Sequence, residues 1–395
     1  MPVPSGIVPL QDAELEGQRV LVRADLDLAS DQTGSPALDA VKLTAAIATF
    51  KHVMERQARL VVAASRGSPR GQRDHHLSLE PAASQIAELA GWEVFVPEDC
   101  VGDMPRKLVA ELRPGQVCLL ENLLFDPRET DGNEAFAREL SQLADVFVAD
   151  ALNVLHHTHA SAVSLPRLLP HRAMGLALQH ELSCFSRLQD RPNVALIGGQ
   201  YARQAQLAEA LLDRFTTLLL GGELGATLLA AQGVDIGTTP IESRQLAQAR
   251  TLLHQAKNRG TEILLPIDAV VSTSVRPGNA GVVTVSQLGR EHRIVDIGPE
   301  TVAAWRTRLG RARSVLWDGP LSVCSSQPEG SRALLEWLGS GCHGFVLVGP
   351  DSAPLLGPLS LDPSLFNHVT QGDGAARELL MQRPLPGLDA LRAIR

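Results

Sequence analysis

Short apolar runs alternate with longer amphipathic stretches along nearly the whole chain. In the first half the apolar runs lie at 19–22, 60–64, 93–96, 117–120 and 146–149, separated by helix-like stretches at 41–54, 79–89, 106–111 and 134–143. The rhythm restarts with apolar runs at 194–197, 217–220, 262–266, 314–317 and 344–348 and helix-like stretches at 205–212, 224–232 and 332–338. Strands that are apolar throughout and separated by helices are typical of a parallel sheet covered on both faces. The pattern predicts an α/β protein.

A helical stretch at 174–188, bounded by Pro170 and Pro192, separates the two series of strands. We therefore expect two α/β sheets joined by one helix. In open sheets of this kind, ligands bind outside the carboxyl ends of the strands. Gly198-Gly199 and Gly221-Gly222 each follow a strand-like run. The segment 269–291, rich in Val, Ser and Gly, predicts an irregular β excursion.

Composition excludes several classes of protein. With 395 residues, 44% hydrophobic and 20% charged, the chain has ordinary globular composition and length for two or three domains. A formal net charge of −8 disfavours a nucleic-acid or anionic-membrane partner. Neither a signal-peptide pattern nor an apolar run of about 20 residues is present, so we expect a soluble, cytoplasmic protein. The five cysteines form no CxxC pair, which disfavours a structural zinc site or a redox motif.

Motifs in a consistent order resemble those of the phosphoglycerate kinase family. VLVRADLDL at 20–28 is similar to the family's VLVRVDFNV, LLENLLF at 119–125 to LLENLRF, and the run at 136–151 to FAKKLASLADVYVNDA. Further matches are ASRGSPRG (64–71), HHTHAS (156–161), IGGQYA (197–202), LLGGELGATLLAAQG (219–233), LPID (265–268), DIGPET (296–301), WDGP (317–320), VGPD (348–351) and TQGDGAARELL (370–380). Together they cover nearly the whole chain.

The resemblance implies two Rossmann-like three-layer lobes, each a mostly parallel sheet, joined by a hinge helix. It implies an N-terminal substrate-type lobe over 1–172 with the tail 381–395 packed on it, an inter-lobe helix over 173–190, and a C-terminal nucleotide-type lobe over 191–380. The family's reaction is ATP-dependent phosphoryl transfer to the carboxylate of 3-phosphoglycerate. The N-lobe binds that substrate through a basic patch, and the C-lobe binds Mg-ATP through glycine-rich loops. Such transfer requires dense positive charge around the phosphates.

At the substrate positions, much of this charge is missing. Lys42 stands where the family has a basic residue in its RIxAALPTI segment and is the candidate catalytic residue. Asp25 is kept, but Asp27 replaces an asparagine and adds a negative charge. The remaining positions of this patch are Ser65 (for His), Ser68 (for Arg), Leu124 (for Arg), His157 (for Arg) and the retained His156 and His159. Partial compensation by Arg66, Arg70 and Arg73 is an open alternative, and a metal site at the histidines is a second one.

The nucleotide positions are altered in the same way. Both lysines of the family's GGAKVSDK are replaced, by Tyr201 and Ala205, and Arg203 is offset from them by two positions. The matching loop residues are Gly198, Gly199, Gly221, Gly222 and Gly372, with Asp351 as candidate magnesium ligand. The replacements that oppose a bound nucleotide are Glu223 and Asp373 for glycines, Ser325 for the ribose-binding acid, and Pro350, which has no backbone N–H.

Three hypotheses follow from this pattern. The first is a pseudoenzyme with a binding or regulatory role, monomeric, whose partner is an unknown protein or small ligand. The second is a divergent carboxylate phosphotransferase that uses Mg-ATP or Mg-ADP on a less anionic substrate. The third is an active glycolytic or Calvin-cycle phosphoglycerate kinase with alternative arginines. Any lysine-dependent mechanism must use Lys42, Lys51, Lys107 or Lys257, because the chain has no others.

Overall fold

The computed structural model describes residues 5–26, 28–30, 36–38, 40–113, 115–272, 280–323 and 328–392. The chain divides into two compact units, the first comprising Met1–Ser183 and Pro384–Arg395 and the second Cys184–Arg383. Both have parallel sheets with helices between the strands, which confirms the predicted α/β class. Among the described residues, no helix has the length and apolar character needed to cross a bilayer.

The first unit contains a seven-stranded parallel sheet and a two-stranded antiparallel one. The strands are β1 (Val8–Pro9), β2 (Arg19–Arg23), β3 (Leu28–Ser30), β4 (Pro36–Leu38), β5 (Arg59–Ala63), β6 (Glu93–Phe95), β7 (Gln116–Leu119), β8 (Val146–Ala149) and β9 (His171–Met174). The helices are α1 (Ala40–Glu55), α2 (Glu80–Ala90), α3 (Asp103–Glu111), α4 (Pro127–Thr130), α5 (Glu134–Ser141), α6 (Leu165–Leu168), α7 (Leu176–Arg187), which continues into the second unit, and α14 (Pro386–Ala390).

In the large sheet the strand order is β1-β9-β8-β2-β5-β7-β6. The central strands β2, β5 and β8 are buried along almost their whole length, as expected for strands covered by helices on both faces. The chain moves from β2 toward β5 on one side and later returns to place β8 on the other side. The order therefore reverses between β2 and β8, which is where open α/β sheets bind ligands.

The second unit contains a six-stranded parallel sheet of order β12-β11-β10-β16-β17-β18 and an antiparallel sheet of order β14-β13-β15. The strands are β10 (Asn193–Ile197), β11 (Thr217–Leu220), β12 (Glu262–Leu264), β13 (Asp268–Ser272), β14 (Ala280–Thr284), β15 (Arg293–Ile297), β16 (Ser314–Asp318), β17 (Phe345–Val348) and β18 (His368–Val369). The helices are α8 (Tyr201–Leu211), α9 (Gly222–Ala231), α10 (Ser243–Arg259), α11 (Pro299–Leu309), α12 (Glu329–Gly341) and α13 (Asp373–Leu380). Here the order reverses between β10 and β16.

The structure differs from the sequence-based prediction at several elements. The predicted helix over 174–188 is preceded by strand β9, so the helix itself starts at Leu176. Helix α8 begins at Tyr201, four residues before the predicted start. Helix α10 was not predicted, because its sequence is strongly polar, although a capping box at Glu242 and Gln245 and a left-handed Gly260 mark its ends. The predicted β excursion is the three-stranded antiparallel sheet, which extends as far as Ile297.

Candidate functional site

Arg23, the last residue of β2, lies at the reversal of strand order in the first unit and is almost completely buried. Its Nε donates to Ser161 Oγ at 3.0 Å and its Nη1 to the carbonyl of Ala24 at 2.9 Å. Its Nη2 donates to Ser65 Oγ. Burial lowers the pKa of Arg23, and the nearby Glu129 carboxylate opposes that shift. Each of the three guanidinium nitrogens of Arg23 therefore donates to an acceptor within the protein.

Glu129, on α4, is the buried anion beside Arg23. Its carboxylate accepts the backbone N–H of Ser161 at 2.9 Å and the Ser161 hydroxyl at 2.5 Å. Burial raises the pKa of Glu129, although Arg23 works in the opposite direction. Arg23, Ser161 and Glu129 therefore form a closed internal network at the strand ends.

Lys42, the candidate catalytic residue, lies in the first turn of α1 and pairs with Asp25, which follows β2. The Lys42 Nζ is 2.9 Å from Asp25 Oδ2, and the two side chains are only 11% and 12% exposed. The charges of Lys42 and Asp25 therefore largely neutralise each other. Asp27, predicted as a second acceptor, lies outside the described residues.

Two serines and a leucine stand at positions where the resemblance implies positive charge. Ser65 follows β5, is half-buried and accepts the Arg23 hydrogen bond. Ser68 is exposed in the same loop, and Leu124 is half-buried in the 3-10 turn Leu123–Phe125. None of these side chains carries charge, so the loops after β5 and β7 supply no cation at these positions.

The three predicted histidines form a stack after β8. The ring centroids of His156 and His157 are 3.8 Å apart, and those of His157 and His159 are 4.5 Å apart with nearly parallel planes. Burial, together with neighbouring His157 and Arg23, lowers the pKa of His159 to about 4, and burial also lowers the pKa of His157. Both rings are neutral at pH 7, so they do not replace arginine charge. Among the described residues, the donor atoms of these histidines do not converge as metal ligands.

The nearby arginines proposed as compensation are mostly engaged elsewhere. Arg66 Nη1 donates to the carbonyl of Ser78 at 2.8 Å. Arg73 pairs with Glu98 and Asp99, the latter at 2.6 Å. Arg70 is exposed and adopts a left-handed backbone conformation with φ of 56°. Two of these three arginines, Arg66 and Arg73, are therefore already bonded to acceptors of the protein.

Glu121, Asn122 and Asp150, at the ends of β7 and β8, serve as local acceptors. Glu121 accepts from the backbone of Leu79 at 2.9 Å, and Asn122 Oδ1 from the backbone of Arg66 at 3.1 Å. Asp150 accepts from the backbone of Ala177 in the first turn of α7 at 2.9 Å. Burial raises the pKa of Asp150 to about 7. These residues hold the framework of the first unit together.

In the second unit the glycine-rich loops pack against one another at the reversal of strand order. Gly222 has φ of +62°, and a Cβ there would lie 2.5 Å from the backbone nitrogen of Gly199. Its own backbone N–H donates to the carbonyl of Leu321 at 2.6 Å. Gly319 has φ of +87°, and a Cβ there would lie 2.2 Å from the carbonyl oxygen of Gly198. Glycine is therefore required at both positions for close approach of the loops.

Charged side chains and one amide form a cluster next to these loops. It comprises Arg203, Gln204, Asp318, Asp351 and Arg377, and we call it the guanidinium–carboxylate cluster. Arg203 Nε donates to Asp351 Oδ2 at 2.6 Å, and its Nη2 donates to Oδ1 of the same carboxylate. Arg377 Nη1 lies 3.2 Å from Asp351 and 3.8 Å from Asp318. Gln204 Nε2 donates to Asp351 at 2.8 Å. Two guanidiniums therefore face two carboxylates.

Asp318, at the end of β16, is the most buried carboxyl of this cluster. Its Oδ1 accepts the backbone N–H of Asp351 at 2.9 Å. Burial, and secondarily repulsion by Asp351, raises the pKa of Asp318 to about 7. The carboxyl is therefore partly protonated near neutral pH.

Two helix N-termini next to the loops carry their own acids. Glu223 lies in the first turn of α9, and Asp373 begins α13 directly after Gly372. Acids in a first turn interact favourably with the helix dipole and compete with an external anion for the same backbone donors. Ser325 lies outside the described residues.

The residues present do not fit a magnesium nucleotide. Both oxygens of Asp351 accept from Arg203, and one also accepts from Gln204, so a magnesium ion would have to displace these donors. Asp318, the second carboxyl, is completely buried and already accepts from the backbone N–H of Asp351. Lys257, the one lysine of the second unit, lies in the last turn of α10.

The sequence predicted Arg203 and Asp351 as site residues of the second unit but did not indicate Asp318, Gln204 or Arg377. In the first unit it missed Arg23, Glu129 and Ser161. The available signal was position: Arg23 ends β2 and Asp318 ends β16, and both strands flank a reversal of strand order. Arg377 carried no such signal, because it is brought to the cluster by α13 from a distant part of the chain.

Similarity in sequence and similarity in structure both relate the chain to one family. The family model described as phosphoglycerate kinase matches residues 10–383. The chain is 37% identical over 391 residues to a phosphoglycerate kinase of Salinispora tropica, covering 96% of this chain and 97% of that protein. It is 35% identical over 386 residues to one of Anaeromyxobacter dehalogenans, covering 95% and 97%. The solved structure of phosphoglycerate kinase from Coxiella burnetii superposes with a TM-score of 0.86 at 26% identity and covers 98% of both chains.

Proposed function

The chain belongs to the phosphoglycerate kinase family, and within that family we propose that it is a pseudoenzyme with a binding or regulatory role. ATP-dependent phosphoryl transfer to the carboxylate of 3-phosphoglycerate is lost or severely impaired in this proposal. One observation carries it: the cations beside the strand ends are bound by the protein's own acceptors. Arg23 is held by serines and a carbonyl, Lys42 by Asp25, and Arg203 with Arg377 by Asp351.

The expected loss is large. Phosphoryl transfer depends mainly on positioning and on neutralising charge at the phosphate oxygens. Charged hydrogen bonds contribute about 1.5–3 kcal/mol each, so removing three of them lowers the rate by roughly three to six orders of magnitude. Ser68, Leu124 and the neutral His157 account for three such positions in the first unit alone.

A coupled kinase assay with 3-phosphoglycerate and Mg-ATP tests the proposal. The Salinispora tropica relative, assayed under the same conditions, serves as positive control. We expect a kcat/KM below a thousandth of that of the control. A value within tenfold of the control would contradict the proposal and support the active kinase with alternative arginines.

A second function, a divergent carboxylate phosphotransferase, is favoured by one observation. The Lys42–Asp25 pair is kept at 2.9 Å, while Ser65 and Leu124 supply neutral side chains at the matched substrate positions. A less anionic substrate would suit such surroundings. This alternative requires nucleotide binding, so a melting-temperature shift with Mg-ATP or Mg-ADP alone would support it. The absence of a shift with either nucleotide would exclude it.

A further inference from the structure

Helix α7 carries two metal-binding side chains one turn apart. His180 and Cys184 are separated by four positions on this helix, and residues at that spacing lie on the same helix face. Zinc proteins use the same spacing where one helix supplies two ligands, since both donors then reach a single metal ion. The helix therefore presents an imidazole and a thiol together.

A third donor comes from the edge of the large sheet in the second unit. His368 is the first residue of β18, the outermost strand, and belongs to the same unit as Cys184. One donor atom from each of His180, Cys184 and His368 lies within 4.8 Å of the other two. We call these three residues the His–Cys–His cluster. The lack of a CxxC pair makes such a site unexpected from the sequence, because a His-x-x-x-Cys pair completed by a distant strand follows no such pattern.

The three donors differ in exposure. Cys184 is only 4% exposed and His368 is half-buried, whereas His180 is exposed. Packing restricts the first two side chains, so they are ordered before a ligand arrives. The exposed imidazole is in contact with solvent and can rotate onto a bound ion. The cluster is thus suited to take up a small cation from solution.

The donor set indicates which cation. One sulfur and two imidazole nitrogens suit Zn²⁺, whereas Mg²⁺ and Ca²⁺ prefer oxygen ligands. With Zn–N of about 2.0 Å and Zn–S of about 2.3 Å, donors around a tetrahedral zinc ion lie about 3.3–3.6 Å apart. Donor atoms within 4.8 Å of one another therefore need to approach by about 1.5 Å at most. Rotation of the exposed His180 side chain can provide this closure.

We infer that the His–Cys–His cluster binds one Zn²⁺ ion, with water as the fourth ligand. On binding, the Cys184 thiol loses its proton to solvent, and the thiolate sulfur coordinates the ion with one nitrogen of each histidine. Each of the three residues also has other contacts within the protein, so the ion competes with them and binds less tightly than in a four-ligand structural site. The inference goes beyond the proposed function, since it holds whether or not the kinase reaction is lost.

Zinc in this cluster would tie α7 to the edge strand. Strand β18 has only two residues, paired with Leu347 and Val348 of β17, so few ladder hydrogen bonds hold it. It is followed by α13, which begins at Asp373 and carries Arg377 of the guanidinium–carboxylate cluster. Amide hydrogen exchange in β18 should therefore slow on addition of Zn²⁺. Unchanged exchange of the β18 amides at saturating Zn²⁺ would overturn this placement of the metal.

Titration of the full chain with Zn²⁺ against a chromophoric chelator tests the binding itself. The protein is kept reduced with a phosphine, so that the thiol remains available. We expect one zinc ion per chain with a Kd of about 10 µM or lower. Millimolar Mg²⁺ should not displace it, because magnesium disfavours sulfur and nitrogen donors. Weaker or non-stoichiometric zinc binding would overturn the inference.

Cobalt reports on the ligands directly. The Co²⁺-substituted protein should show a thiolate-to-cobalt charge-transfer band in the near ultraviolet and the intense visible d–d bands of a four-coordinate ion. Cys184→Ser should abolish the charge-transfer band. A cobalt spectrum that lacks this band in the unmodified protein, or keeps it in the variant, would show that Cys184 is not a ligand.

Matched variants locate the zinc ion. Loss of a ligand should cost at least as much as loss of a ligand's supporting partner, so His180→Gln and Cys184→Ser should each weaken zinc binding by about tenfold or more. His254→Gln, an exposed histidine of α10, and Cys342→Ser, a half-buried thiol after α12, should leave the affinity unchanged. Because His180 is exposed, His180→Gln should keep the circular dichroism of the unmodified protein. Unmodified affinity in a folded His180→Gln variant would overturn the inference.

Discussion

The two units reach a similar electrostatic state by different routes. At the strand ends of the first unit, positions that the family resemblance marks as cationic carry neutral side chains, such as Ser68 and Leu124. In the second unit, arginines are present, but Asp351 and Asp318 neutralise them. The first unit lacks charge at these positions and pairs its remaining Lys42 with Asp25, whereas the second unit keeps arginines that are already paired. The comparison shows that a count of arginines does not measure the capacity of a site to bind phosphate.

The largest expected effect concerns stability of the first unit. Arg23→Met removes the buried guanidinium and leaves the Glu129 carboxylate without its cation, which should cost about 3–5 kcal/mol of unfolding free energy. Urea denaturation monitored by circular dichroism measures this. Arg19→Met, at the other end of the same strand, breaks a half-exposed pair with Asp145 and should cost no more than about 1 kcal/mol. Equal losses in the two variants would contradict the internal role of Arg23.

Each unit also contains a buried carboxyl whose pKa is raised to about 7, Asp150 in the first and Asp318 in the second. Both have a folded-state pKa of about 7 against 3.8, so the folded protein retains these protons while the unfolded chain releases them. Stability from each group is complete below about pH 4 and falls as pH rises toward 7. A pKa difference of about three units corresponds to roughly 4 kcal/mol per group at most.

Chemical denaturation between pH 5 and 8 measures this dependence. The unfolding free energy should fall with increasing pH. Asp150→Asn and Asp318→Asn should each remove the contribution of one carboxyl to this slope. If both variants kept the slope of the unmodified protein, the pH dependence would have another origin.

The next expected effect is smaller and concerns ligand affinity. It distinguishes the missing cations of the first unit from the paired cations of the second. Restoring arginine at Leu124 and Ser68 should increase affinity for 3-phosphoglycerate by about tenfold to a hundredfold per residue, since each adds a charged hydrogen bond of about 1.5–3 kcal/mol. Restoring lysine at Tyr201 and Ala205 should gain less for Mg-ADP, because the acids Glu223 and Asp373 remain in the first turns of α9 and α13. Titration calorimetry compares the gains. A larger affinity gain in the second unit than in the first would contradict this difference between the two units.

Much of the fold follows from sequence pattern, whereas much of the site does not. Apolar strands separated by helices and ending in glycine pairs predict two parallel sheets, because local pattern and burial agree along these segments. Helix α10 escapes that reasoning, since its sequence is strongly polar and has few apolar residues. Side-chain pairing is harder still: Arg377 reaches Asp351 only because α13 is packed beside α8. Sequence pattern does not show which acceptor a distant arginine will meet.

The smallest expected effect lies within the guanidinium–carboxylate cluster. Arg203 is 58% exposed, so Arg203→Ala should change the unfolding free energy by less than about 1 kcal/mol. Arg377 is only 12% exposed and contacts both carboxylates, so Arg377→Met should cost about twice as much or more. Thermal denaturation of the two variants at pH 8, above the pKa of about 7 of Asp318, gives the comparison. A greater loss for Arg203→Ala would show that the cluster depends on its exposed member.

The central claim is that neither unit retains the family's phosphate-binding capacity, and ligand-dependent stabilisation tests it most directly. The melting temperature is measured with Mg-ATP, Mg-ADP and 3-phosphoglycerate, each alone, at low and moderate salt. A ligand at about 100 times its Kd stabilises a protein by roughly 2.7 kcal/mol, which a melting curve resolves. We predict no shift with any of the three at concentrations that saturate the Salinispora tropica relative. Shifts with both a nucleotide and 3-phosphoglycerate would contradict the account.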